Sequence, residues 1–140
     1  MCIRDSQWGW KRSGDTKEWS KLVIKQSNNK EIFYRQLSGN NLWKNSEAGN
    51  TITRLSDKDY EQKKASFHIS IFGNHKNTWH PPILWIGLGC ERNTSKELIE
   101  DSLQNFLTTN NLSPLSIAGF ATVDLKKDEK SILEMSLIHI

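Results

Sequence analysis

Apolar residues fall into two patterns that together organise the 140-residue chain. The run Ile83-Leu84-Trp85-Ile86 ends in Gly87-Leu88-Gly89 and is followed closely by Thr94, Ser95 and Glu97. A short apolar run closed by glycines predicts a buried strand and its turn. Thr94 with Glu97 three residues later predicts a capping box, in which hydroxyl and carboxylate each satisfy a backbone N–H left open by the first helical turn. From Lys96 onward Leu98, Ile99, Leu103, Phe106 and Leu107 recur at the three-and-four spacing of one helix face, while Lys96, Glu100, Asp101 and Gln104 occupy the other. Asn110 and Asn111 close the helix, since asparagine accepts the left-handed conformation beyond it. Residues 115–122 form a second apolar run. Strand, helix and strand make a parallel βαβ unit, and the loops after its strands, residues 89–93 and 123–127, then share the carboxyl edge where open α/β sheets bind ligands.

Upstream the pattern is weaker. Residues 19–26 predict a short helix begun near Asp15 or Thr16, and residues 31–36 a strand before the turn Ser38-Gly39-Asn40-Asn41. Residues 47–64 are polar and read as loop with one helical turn after Ser56. Residues 66–72 alternate, which predicts a strand with Phe67, Ile69 and Ile71 on one face and His68 on the other. Residues 73–82 read as a link to the βαβ unit.

Composition narrows the class. With 36% hydrophobic and 25% charged residues and no apolar run long enough for a bilayer, the expectation is a soluble, cytoplasmic protein with no membrane partner. Two cysteines form no disulfide framework and suit a reducing compartment. A formal charge of +3 permits an acidic ligand without requiring nucleic acid. Trp10-Lys11-Arg12 and Trp43-Lys44 have the composition of stacking platforms for single strands, but no basic stripe follows a helix, so the tryptophans are expected in the core and no nucleic-acid partner is expected.

Residue spacing bears on three other chemistries. Gly87-x-Gly89-x-x-Arg92 starts like a dinucleotide fingerprint, but arginine stands where the third glycine belongs and no acidic residue ends a strand about 20 residues on. His68, His75, His80 and Cys90 lack the spacing of a zinc site, so the histidines are expected on the surface or in loops and no metal site is assigned. Cys90 has no histidine partner nearby and reads as a small packing residue rather than a thiol nucleophile.

Gly87-x-Gly89-Cys90-x-Arg92-x-Thr94-Ser95, followed after the helix by Ala121-Thr122-Val123-Asp124-Leu125-Lys126-x-Asp128-Glu129, resembles the carboxy-terminal domain of the cobalt-precorrin 5A hydrolase family of anaerobic cobalamin biosynthesis. Trp79-His80-Pro81, residues 66–72, Gly9-Trp10-Lys11 and Gly39-Asn40-Asn41-Leu42-Trp43 resemble the family's middle region, including the form fused to a precorrin methyltransferase. Asn93 stands where the family usually has glycine, and Lys127 where it has a small residue. Asparagine also adopts a positive φ, so the turn is expected to survive.

The resemblance implies an α/β fold: a three-layer α/β/α-type carboxy-terminal domain built on the parallel βαβ unit over residues 81–135, preceded by a small α+β middle region over residues 7–80. It implies lactone opening and acetaldehyde release on a cobalt-precorrin macrocycle, with other cobalamin-pathway enzymes as possible partners. No cofactor of the protein's own is expected, because cobalt arrives inside the substrate. Asp124 and Glu129 are the candidate proton carriers; Gly87, Gly89, Cys90, Arg92, Thr94, Ser95, Thr122 and Lys126 are the candidate substrate-binding residues. Each role has a structural counterpart: Asp124 and Asp128 as caps of a helix starting near Lys127, Thr94 as a cap, and Lys126 with Glu129 as an exposed pair. A module that holds a corrinoid intermediate without reacting on it is the alternative.

Residues 1–6 and 136–140 back-translate to a sequencing-transposon end and its reverse complement. They are expected to be adaptor sequence, so that residues 7–135 are an internal fragment. Finding these codons in uninterrupted genomic DNA refutes that expectation.

Overall fold

The computed structural model describes residues 9–45, 52–60, 62–89 and 93–122. The expectations for residues 1–6 and 136–140, and for the helix near Lys127, lie outside them. The described chain is a mixed α/β structure rich in parallel strands, arranged as a five-stranded sheet and a two-stranded sheet.

The larger sheet has its strands in the order β1-β5-β4-β2-β3. They are β1 (Lys11–Ser13), β2 (Ile32–Gln36), β3 (Ile52–Arg54), β4 (Phe67–Ile69) and β5 (Thr78–His80). β2 pairs in parallel with β3 and β4, β4 pairs in parallel with β5, and β1 closes the edge antiparallel to β5. Helix α1 (Thr16–Ser27) starts at Asp15, whose carboxylate accepts from Lys17 N at 2.8 Å. It buries Trp19 and Leu22. The register puts Ile32, Tyr34, Ile52, Phe67, Ile69 and Trp79 on one face, and these join Trp10, Trp19, Leu22 and Trp43 in a single aromatic-rich core. Tyr34 stacks on Phe67 with centroids 5.3 Å apart and meets Trp43 edge-on at 5.1 Å. The Trp19 indole N–H donates to Ser13 O at 2.9 Å, so the one polar atom of that buried ring is satisfied. Four tryptophans are therefore core residues, as expected.

Sequence reasoning missed β1, β3 and β5, each of three residues. The helical turn expected after Ser56 is present as α2 (Asp57–Tyr60). The strand expected over residues 66–72 is shorter, and all three of its residues are buried. Its polar face is not at the surface, because parallel strands within a sheet are commonly covered on both sides. Thus His68 and His80 are 8% and 1% exposed, which corrects the surface assignment.

The second sheet is the expected βαβ unit: β6 (Leu84–Gly87), α3 (Lys96–Thr109) and β7 (Ile117–Ala121), with β6 and β7 parallel. Ile99, Leu103 and Leu107 of α3 pack with Ile86 and Ile117. The expected stripe is wider than the buried one: Leu98 and Phe106 remain exposed. β6 is also less buried than its composition predicts, with Trp85 69% exposed. Among the described residues only α3 covers this sheet. Asn110 caps α3 and Asn111 follows at φ 55, as expected. The two sheets are joined by Gly73 N donating to Asn111 O (2.7 Å) and Ser113 N donating to Ile71 O (2.8 Å).

Candidate functional site

The parallel pairing of β6 with β7 brings the segments after both strands to one carboxyl edge. The ladder continues past β6, with Leu88 N donating to Ala121 O at 2.8 Å. Gly87 and Gly89 lie on this edge without a left-handed backbone, and among the described residues a Cβ on either would meet nothing within 4 Å. Among the described residues neither conformation nor packing explains a glycine at these positions, and none of them covers the backbone there, which is the arrangement that lets a ligand approach closely.

Asn93 adopts φ 66 and makes the turn into α3, as expected of an asparagine in a glycine position. The cap lies one residue later than predicted: Ser95, not Thr94, takes the extended cap conformation, and its hydroxyl accepts from Leu98 N at 3.2 Å. Adjacent hydroxyls offer the same local chemistry, and serine caps at least as well as threonine. Glu97 then falls at the second helical position, so the capping box does not form. Thr94, half-buried, precedes the cap in the segment that leads from the edge into α3. The amino end of α3 points its open N–H groups and positive dipole toward that same edge, which favours an anionic group.

Thr122 follows β7, and its buried hydroxyl has no hydrogen-bond partner among the described residues. Alongside, a groove of about 260 Å³ runs between β6 and α3, lined by Trp85, Gly87, Leu88, Leu103 and Phe106. The edge thus combines backbone donors, hydroxyls and an apolar wall. Of the candidate residues, the structure brings together Gly87, Gly89, Thr94, Ser95 and Thr122. Cys90, Arg92, Asp124, Lys126 and Glu129 lie outside the described residues.

A second polar group sits on the five-stranded sheet, where the sequence reading placed only surface histidines. His68 and His75 stack face to face, with centroids 3.9 Å apart and an interplanar angle of 5°. Tyr60 meets His68 edge-on, and the Arg35 guanidinium lies 4.1 Å from the Tyr60 centroid while pairing with Asp57 at 3.3 Å. Burial, then the charges of His75 and Arg35, push His68 down to about 4, so it is neutral near pH 7. Burial and Arg35 also lower His75. The sequence signal for this cluster was His68 on the polar face of its strand; its partners are distant in sequence and carried no local pattern.

His80 is a satisfied core histidine. Its Nδ1–H donates to Ser70 O at 2.9 Å, which leaves Nε2 to accept from the Ser13 hydroxyl at 2.8 Å. Burial lowers its pKa against the opposing effect of the Ser70 carbonyl.

Comparison with known proteins supports the resemblance read from the motifs. Residues 84–138 match the family described as "Cobalamin synthesis G C-terminus". The chain is 28% identical over 145 aligned positions to "Cobalt-precorrin-5A hydrolase" of Priestia megaterium, an alignment covering 92% of this chain and 37% of that protein. It therefore spans little more than a third of that relative's length. No solved structure matches.

Proposed function

We propose that this chain is part of a cobalt-precorrin-5A hydrolase acting in cobalamin biosynthesis. The observation that carries the reading is the reach of the similarity to the Priestia megaterium protein, which takes in 92% of the chain, well beyond the carboxy-terminal family match at 84–138. Both sheets are thus included, not the βαβ unit alone.

In the proposed reaction water adds to the acyl carbon of the macrocycle's lactone and the acyl–oxygen bond breaks, leaving a carboxylate and an alcohol. The alcohol loses its proton to a base as the adjacent carbon–carbon bond breaks. Acetaldehyde leaves, and the electron pair of that bond stays on the macrocycle, which takes up a proton. This chemistry needs a base for water, donors for the developing oxyanion, and cations for the macrocycle's carboxylates. Backbone N–H groups at the Gly89 edge and the Thr94 hydroxyl are assigned as donors, Arg92 and Lys126 as carboxylate clamps, and Asp124 and Glu129 as proton carriers. Cys90, Ser95 and Thr122 shape the edge, and the groove beside Trp85 takes apolar macrocycle surface. The protein needs no cofactor of its own, since cobalt enters with the substrate.

The test is made in the longer protein that contains this chain. Asp124→Asn is expected to lower turnover at least about a hundredfold, the usual range for losing a general acid or base. Arg92→Ala is expected to weaken substrate binding. Unchanged turnover and affinity in both variants overturn these assignments.

A second reading, that the domain holds a corrinoid intermediate and passes it to other pathway enzymes, is favoured by one observation. The described edge supplies donors, hydroxyls and an apolar wall, all of which serve binding. Stoichiometric macrocycle binding without acetaldehyde supports that reading and removes the first.

A further inference from the structure

β1 and β5 pair antiparallel with Lys11 opposite His80 and Ser13 opposite Thr78, so these four side chains share one face of the larger sheet. Ser13 lies diagonal to His80, a spacing that long side chains bridge, and its hydroxyl reaches Nε2 at 2.8 Å. The ring is fixed from its other end. Ser70 O can only accept, so Nδ1 carries the proton of that 2.9 Å bond and Nε2 presents its lone pair to Ser13. A hydroxyl, an unprotonated imidazole nitrogen and an acceptor that orients the ring stand in the relation that activates a serine.

Serine–histidine hydrogen bonds also occur as plain packing, and two features take this one further. The first is placement: His80 is buried, whereas Ser13 is half-buried on the edge strand and is followed by the exposed Gly14 and Asp15. The pair thus has its base in the core and its hydroxyl at the border of the protein. The second is what adjoins it. The turn Pro114–Ser116 packs against β1, and the fully buried Ser116 hydroxyl has no hydrogen-bond partner among the described residues. An open buried hydroxyl is a ready donor, and Lys11 brings a cation to the same sheet face as Ser13, the two kinds of group that stabilise a developing oxyanion.

We infer that Ser13 is a nucleophile activated by His80, and that the seam between β1 and the turn Pro114–Ser116 accepts an ester or lactone carbonyl. Ser13 Oγ bonds to the carbonyl carbon as its proton passes to His80 Nε2. The bond from that carbon to the leaving oxygen then breaks, the leaving oxygen takes the proton from Nε2, and the acyl group stays on Oγ. Water repeats the sequence: it adds to the acyl carbon and gives a proton to Nε2, and Oγ leaves with that proton as the carboxylic acid departs. Burial keeps the ring neutral near pH 7, and the Ser70 carbonyl favours the imidazolium formed in each step. The site lies by the amino end of β7, opposite the carboxyl edge described above, and the inference does not depend on the macrocycle reaction.

The experiment treats the full chain with diisopropyl fluorophosphate, which phosphorylates activated serines with loss of fluoride, and maps the adduct by peptide mass spectrometry. A single adduct on Ser13 is expected. The exposed Ser20 and Ser27, whose hydroxyls donate to Thr16 O and Val23 O, are internal controls and stay unmodified. His80→Gln, checked for folding by tryptophan fluorescence, is expected to slow labelling about a hundredfold or more, the usual range for losing a general base. Because His80 is also a core residue, Ser13→Cys supplies a reading that leaves the ring in place. Its thiol is expected to react with iodoacetamide at pH 6.5 at least about tenfold faster than glutathione, since an adjacent imidazole lowers a thiol's pKa. No adduct on Ser13, equal labelling of Ser20 and Ser27, an unchanged rate in folded His80→Gln, or an ordinary thiol rate in Ser13→Cys overturns the proposal.

Discussion

Replacing His68 with glutamine removes the most perturbed titrating group of the described chain while keeping a neutral polar side chain of similar length. In the folded protein His68 is held down to about 4 from an ordinary 6.5, by burial first and by His75 and Arg35 second. The unfolded chain therefore binds the extra proton across that interval and the folded one does not. Stability is complete above the unfolded value and declines as pH falls from 6.5 toward 4. Each unit in that window is worth about 1.4 kcal/mol, so the full shift corresponds to about 3 kcal/mol. Between pH 7.5 and pH 5 the linkage gives a loss of about 2 kcal/mol from this residue alone. With a urea dependence of about 2 kcal/mol per molar, wild type is expected to lose about 1 M in midpoint from His68 over that interval. His75 and His80 shift in the same direction and add to the wild-type loss, but they remain in the variant. The difference between the two pH dependences therefore isolates His68. Urea denaturation of wild type and His68→Gln at both pH values is the assay, and parallel losses in the two proteins would refute the burial argument.

Other predictions concern the framework. Gly14 sits at φ +114, and a Cβ there would lie 2.5 Å from Asn77 Oδ1 and 3.0 Å from Trp19 Nε1. Gly14→Ala should accordingly cost about 2–3 kcal/mol in denaturant unfolding, and a cost below about 0.5 kcal/mol would contradict this backbone conformation. Ser95→Ala should cost about 1 kcal/mol and Thr94→Ala clearly less; the reverse order would restore Thr94 as the cap of α3. His80→Leu leaves Ser70 O and the Ser13 hydroxyl without the ring and should cost about 2–3 kcal/mol, measured by the same unfolding assay at pH 7.5, where protonation plays little part.

Where local chemistry decided the outcome, the sequence was a good guide. The three-and-four spacing after Lys96, the glycines after Ile86 and the paired asparagines at 110 and 111 each act within a few residues, and they yielded β6, α3 and β7 in order. The start of α1 at Asp15 was equally local. Errors arose where tertiary packing chose between local equivalents or overrode them. Thr94 and Ser95 have the same capping chemistry, so sequence alone did not select between them. Three-residue strands such as Thr78-Trp79-His80 are too short to show alternation, and their pairing depends on distant neighbours. The alternation in residues 66–72 correctly separated Phe67 from His68, but it did not reveal that Tyr60, His75 and Arg35 cover the second face. At the candidate site the motifs placed Gly87, Gly89 and Thr122 on one edge. That no described residue packs against the two glycines depends on how the unit is assembled and had no signature in the sequence.

The central claim is tested most directly by incubating the longer protein containing this chain with cobalt-precorrin 5A under anaerobic conditions and weighing both products. The account predicts one acetaldehyde per macrocycle and a macrocycle that has gained the mass of water and lost that of acetaldehyde. A macrocycle recovered intact, with no acetaldehyde, from a folded protein that binds it would contradict the hydrolase reading.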